Sequence, residues 1–258
     1  MNYVAGMLCL VLAQAMVAGV AAADAAKPPA KDPAAAPAAP TKPAAKPPAA
    51  APQDDPALPR VLILGDSISL GYTPPVTKFL AGRANVRRPA ENCQHTAYGL
   101  AQLEKWLGKE KWDVIHFNWG IWDTHLLDAK TGALIRKEEG LDLATVRVRH
   151  TAEQYEANLT KLVERLKATG ATLVWASTTP VTYRTGDRAK VISAYNEIAA
   201  RVMKANGIAI DDLAAVVAAT PAKFPQADGV HYTAPGCQNL AEQVGQAILD
   251  ALAARARK

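Results

Sequence analysis

Short uninterrupted apolar runs alternate along this chain with stretches whose apolar residues recur at helical spacing. Val61-Leu62-Ile63-Leu64 stops at Gly65, residues 113–117 (D-V-I-H-F) stop before Asn118 and Gly120, and Thr172–Ala176 (T-L-V-W-A) runs into S-T-T-P. A weaker run covers residues 207–210, and residues 85–88 read as an edge strand. Apolar runs without polar alternation fit strands buried on both faces of a parallel sheet. Between them, Tyr155, Leu159, Leu162, Val163 and Leu166 fall on one helical face. Thr151 and Gln154 have capping-box spacing at its start, and Gly170 follows its end, where a left-handed residue often closes a helix. Leu240, Val244 and Ile248 repeat every four residues in a last helix. This alternation predicts a doubly wound α/β fold with a mostly parallel sheet of five strands, and no internal repeat. Ligands of such sheets bind beyond the carboxyl ends of the strands. That rule directs attention to residues 65–69, 118–123 and 177–180.

The first 59 residues stand outside this pattern. Residues 1–23 are apolar and uncharged and end in small residues, as a secretory signal peptide does, although no Lys or Arg precedes the apolar run. The alternative is a membrane anchor that is never cleaved. Residues 24–59 are mostly Ala and Pro with scattered Lys; prolines at that density remove backbone donors, so this stretch is expected to be a semi-extended linker. It is either a tether to the cell envelope or a passive leader. One folded domain is therefore expected over residues 60–258. The formal net charge of +5 belongs to that domain without forming a basic stripe, which argues against a nucleic-acid partner. Export leaves Cys93 and Cys237 in an oxidising compartment, where they could form one disulfide.

Two short motifs carry chemistry. Residues 65–69 read G-D-S-I-S directly after a buried strand. A Ser at a strand-to-helix turn can point its hydroxyl into a cleft, where backbone N–H groups of the helix start meet a developing negative charge; it can equally be an ordinary cap residue. Residues 228–231 read D-G-V-H shortly before the last helix. A Ser hydroxyl needs a His to take its proton and a carboxylate to orient that His. Together, at opposite ends of one domain, the two blocks resemble the SGNH/GDSL hydrolase family. The resemblance spans about residues 60–252 and implies a flavodoxin-like three-layer α/β/α sandwich, ester hydrolysis without metal or organic cofactor, and a triad of Ser67, Asp228 and His231.

The middle blocks depart from the family. Its second block has a Gly whose N–H joins the oxyanion hole, and around E-N-C-Q-H-T-A-Y-G-L the expected equivalent is Cys93, with Gly99 opening the next helix. Its third block, G-x-N-D, becomes Gly120-Ile121-Trp122-Asp123, so Trp122 takes the Asn place and Asn118 is the substitute donor. The expected oxyanion hole is thus Ser67, Cys93 and Asn118. Trp119 and Trp122 flank the cleft as substrate-binding residues if exposed, and are core if not. His116 reads as a satisfied core residue, and His95, His125 and His150 lack ligand spacing, so no metal is expected. Residues 124–149 are a lid or insertion, or a plain solvated loop. These expectations converge on an exported serine esterase acting on a small-molecule or polysaccharide ester, with acetyl groups on carbohydrate preferred. An O-acyltransferase and a non-catalytic carbohydrate-binding protein are the rivals.

Overall fold

The computed structural model describes residues 54–257, apart from 137 and 139. The expected signal segment and most of the Ala/Pro linker lie outside the described residues. Five parallel strands form the central sheet: β1 (Arg60–Leu64), β2 (Asn85–Arg87), β3 (Val114–Phe117), and two later strands, Thr172–Ala176 and Ala209–Asp211. Between β3 and these, a short antiparallel pair forms from β4 (Leu126–Asp128) and β5 (Val146–Val148), so the last two sheet strands are β6 and β7. The spatial order is β2-β1-β3-β6-β7. The chain leaves β1 toward one edge and returns through β3 toward the other, so the switch point lies between β1 and β3.

Among the described residues six α-helices cover the sheet: α1 (Ser67–Phe79), α2 (Thr96–Leu107), α3 (Ala152–Lys167), α4 (Val191–Ala205), α5 (Leu213–Ala219) and α6 (Ala234–Ala256). Alternate strand residues face opposite layers. Val61, Ile63, Val114 and Val174 pack with α1 and α6, including Tyr72, Val76, Leu240, Val244 and Ile248. Leu62, Leu64, Ile115, Phe117 and Trp175 pack with α2, α3 and α4, including Leu103, Leu159, Leu162 and Val202. Both strand faces are therefore apolar, which is why the sequence shows unbroken runs rather than alternation. The α3 start has both reciprocal bonds of its capping box, with Gln154 N donating to Thr151 Oγ1 at 3.3 Å and Thr151 N to Gln154 Oε1 at 2.9 Å. Gly170 has φ 72°.

Two expectations change. Residues 124–149 are more than a plain solvated loop: they contain the antiparallel β4–β5 pair, and the chain leaves β4 through a tight turn in which Asp128 Oδ1 accepts from Thr131 N at 2.7 Å and Lys130 N at 3.1 Å before Leu134 bridges back to Leu127. Three-residue strands with mixed burial leave no periodic signal. Cys93 and Cys237 are both free. Cys93 is buried in the α2–α3–α4 layer, whereas Cys237 packs on the α1–α6 layer, so the sheet separates the two thiols.

Candidate active site

The nucleophile turn follows from the strand that precedes it. β1 ends at Leu64, and Asp66 caps α1, its Oδ1 accepting from Ile68 N at 2.9 Å. Ser67 is thereby the first residue of α1, at the carboxyl edge of the sheet beside the switch point. The first N–H groups of a helix have no partner within it and carry its partial positive end. The cap is Asp66, so Ser67 is free of that role.

The second block reaches this turn from the other end of the chain. Gly229 adopts φ +80°, a left-handed conformation that glycine takes at least cost, and its O accepts from Thr182 N at 2.8 Å. The resulting turn folds Asp228 onto its own backbone: Oδ1 accepts from His231 N at 2.7 Å and Val230 N at 3.0 Å. Asp228 Oδ2 lies 2.7 Å from His231 Nδ1, and His231 Nε2 lies 2.8 Å from Ser67 Oγ. The His231 backbone N–H and imidazole, with the Val230 N–H, hold the Asp228 carboxyl at about 2, well below its ordinary value. It is therefore ionised wherever an imidazole is neutral, which is the state needed to hold Nδ1–H and leave Nε2 to accept the Ser67 proton.

The expected oxyanion donors fare differently. The Cys93 N–H donates to Gly65 O at 3.2 Å, and both hydrogens of the Asn118 amide are engaged, with Ala176 O at 2.8 Å and Thr178 Oγ1 at 3.1 Å. Neither group points a free donor at Ser67. Burial, ahead of the opposing Gly65 contact, pushes the Cys93 thiol up to about 11, so it is no nucleophile at neutral pH. Gln94, one residue on, has φ 48° and is the described non-glycine residue with a left-handed backbone. Its N–H donates to Asn92 Oδ1 at 2.8 Å.

The two tryptophans differ, and Trp119 turns out to be core. Trp119 is 0 % exposed, and its Nε1 donates to Cys93 O at 3.1 Å, so it braces the second-block loop from within and cannot stack on a ligand. Trp122 is half-buried; the Arg149 guanidinium lies 5.7 Å from its ring centre and His125 5.2 Å away. Its ring is thus partnered within the protein. His116 is fully buried, as read from the sequence, with Nε2 3.0 Å from Asp211 Oδ2.

Other groups escaped the sequence reading. Asp123, the last letter of the third block, is fully buried and accepts from Thr96 N and Oγ1, with His150 Nδ1 at 2.6 Å. It ties the start of α2, the third block and the start of α3 together. The only sequence sign was the Asp in the block itself. Among the described residues no group of three or more His, Cys, Asp and Glu could hold a metal ion.

Comparison with known proteins agrees with this arrangement. A profile of the GDSL-like lipase/acylhydrolase family matches residues 63–238. No curated protein matches the chain. Among solved structures, an acetyl xylan esterase, AlAXEase, superimposes with a TM-score of 0.59 at 15% identity, over 73% of this chain and 99% of its own. A lipase/acylhydrolase from Enterococcus faecalis gives 0.57 at 19%, over 74% and 95%. TesA gives 0.55 at 21%, over 74% and 99%. These likenesses establish a shared α/β/α fold, and the profile match adds the family: the chain belongs to the GDSL-like lipase/acylhydrolases and is a carboxylic ester hydrolase of that type.

Proposed function

We propose that the chain is an exported serine esterase that removes short acyl groups, acetyl above all, from a carbohydrate. The observation that carries the chemistry is the continuous relay Ser67 Oγ–His231–Asp228, with contacts of 2.8 and 2.7 Å. His231 Nε2 takes the Ser67 proton as Oγ attacks the ester carbonyl, and the same proton then passes to the leaving alcohol. The Ser67 N–H and the positive end of α1 stabilise the oxyanion. Cys93 and Asn118 are left out of that assignment because their donors are already engaged. Water, activated by His231, releases the acid.

The acyl and alcohol preferences rest on the segment beside the site and on the fold likeness. The segment beside the site is charged and built on short strands, and among its described residues there is no amphipathic helix to serve as an interfacial lid. The fold likeness to an acetyl xylan esterase points the same way. The apolar N-terminal segment and the Ala/Pro linker favour export and attachment to the cell envelope.

An ester series of graded chain length, run on the wild type and Ser67→Ala, tests the reading. Acetyl esters should be cleaved best, and Ser67→Ala should lose at least about a thousandfold in kcat, with His231→Ala comparably impaired because triad members act as a unit. Undiminished turnover by Ser67→Ala removes the nucleophile assignment. A maximum at long acyl chains removes the acetyl preference.

A further inference from the structure

Beside the triad lies a cleft of about 430 Å³, within the ~300–1,000 Å³ usual for small-ligand sites. Asp228 and Val230 form its wall on the triad side, and the inserted segment and Tyr183 form the other. The insertion is fixed there by Glu138, which receives Arg184 Nε at 3.2 Å and Arg188 Nε at 2.8 Å. Thr182 N to Gly229 O, at 2.8 Å, joins the Tyr183 loop to the catalytic turn. The cleft is therefore built from elements fixed to the triad, not from a free loop.

Its chemistry is mixed in a specific way. Leu134 and Ile135 give it aliphatic wall, and Tyr183 is 38% exposed, with the Arg184 guanidinium 5.4 Å from its ring centre. Two carboxylates line it, and both are already satisfied: Asp228 by His231 and Val230, Glu138 by Arg184 and Arg188. Arg136 also lines the cleft and is exposed. Among the described residues no hydrogen bond or ion pair takes up its guanidinium. Behind the wall, Arg184 Nη2 is buried and has no partner, and His125 Nδ1 is likewise buried and unpaired. Burial first, then the charges of Arg184 and Arg149, holds His125 down at about 4, so it lines the cleft as a neutral ring under a positive potential.

We propose that this cleft receives the alcohol part of the ester, and that the alcohol is an acidic sugar whose carboxylate pairs with Arg136. The inference rests on the carbohydrate-esterase reading above and narrows it. A guanidinium presents paired donors that match a carboxylate fork. The aliphatic wall and the exposed part of Tyr183 not covered by Arg184 suit the apolar face of a pyranose ring, and the neutral imidazole offers a hydroxyl partner. A neutral sugar would use the walls but leave Arg136 without a counter-charge.

The test compares kcat/KM for the methyl glycoside of an O-acetylated hexuronate with that for the matching O-acetylated neutral hexoside, beside a simple acetate ester. The wild type should favour the uronate at least about tenfold, equivalent to ~1.4 kcal/mol, with the preference shrinking as salt is raised. In Arg136→Gln the uronate-to-neutral ratio should fall toward one, and Arg136→Lys should restore part of it. Equal rates on both sugar esters, or a preference that survives in Arg136→Gln, overturn the acidic-sugar assignment while leaving the carbohydrate reading standing. Cleavage of the simple acetate with neither sugar ester accepted overturns both.

Discussion

Asp66 sits directly before the nucleophile and is 2 % exposed. Its Oδ1 caps α1, while Oδ2 is buried without a partner. Burial raises its carboxyl to about 6, against the Ile68 N–H and the charges of His231 and Arg88, which lower it. The folded value therefore exceeds the ordinary carboxylate value near ~4. Between the two the folded protein holds the proton that the unfolded chain has lost, so stability falls as pH rises from about 4 to about 6 and is flat above. A shift of this size corresponds to at most about 3 kcal/mol. Asp66→Asn keeps an oxygen for Ile68 N and has no charge to bury. Its stability relative to wild type should rise between acid and neutral pH, read by urea unfolding at both; a constant difference would remove the titration from Asp66. The residues of the relay were legible because their chemistry demands particular side chains at short spacing. The donors beyond the Ser67 N–H were not, because a backbone N–H leaves no trace in residue identity and the engaged state of a side-chain amide depends on the fold. Trp119 stayed open between cleft and core for a related reason: an aromatic at a strand end looks the same whether it faces one or the other.

At the scale of elements, α2 connects the second block to the core. It begins at Thr96, with His95 Nδ1 accepting from Tyr98 N at 3.2 Å, so Gly99 lies one turn inside the helix rather than at its start. A Cβ on Gly99 would lie 2.8 Å from Trp119 Cζ2 and 3.0 Å from its Nε1. Trp119 cannot retreat, being fully buried and tied to Cys93 O. Gly99→Ala thus gains up to about 1 kcal/mol of helix propensity but incurs an overpacking cost of typically ~1–3 kcal/mol. The net expectation is a loss of about 1 kcal/mol in urea unfolding. Lower esterase activity should accompany it, because the displaced indole shifts the second-block loop. A more stable Gly99→Ala would mean that the indole has room to move. The buried strands and α3 were visible in advance because periodicity and caps are local signals. The β4–β5 pair was not, since its strands are short and its pairing depends on contacts that only the folded domain supplies.

The whole molecule joins the central sheet and its helices to the segment that carries β4 and β5, and Glu138 is the point where they meet. Its carboxylate binds two guanidiniums from the loop between β6 and α4, and Arg184 in turn donates from Nη1 to Thr124 Oγ1 at 2.8 Å. Arg184 has a side chain 0% exposed, Glu138 8% and Arg188 22%. The fold class and the five-stranded parallel sheet were predictable from alternation and family likeness; this bridge was not, because nothing local links residue 138 to residues 184 and 188. Burial pushes the Glu138 carboxyl up, but the Arg188 hydrogen bond and the two positive charges outweigh it, and the net shift is downward. Its stabilising contribution is therefore complete above the ordinary carboxylate value and is lost as pH falls through the lower folded value. Glu138→Gln would leave Arg184 buried with a charge that nothing offsets. Breaking a buried pair from one side costs about 3–5 kcal/mol, and the partial exposure of Arg188 places this case near the lower figure. Urea unfolding at neutral pH should show that loss, and hydrogen exchange should show β4 and β5 opening before the central sheet. The gap between wild type and variant should narrow at acid pH, where wild-type Glu138 takes up its proton. A gap under about half a kcal/mol at neutral pH, the size of an ordinary surface change, would show that Glu138 does not hold the insertion.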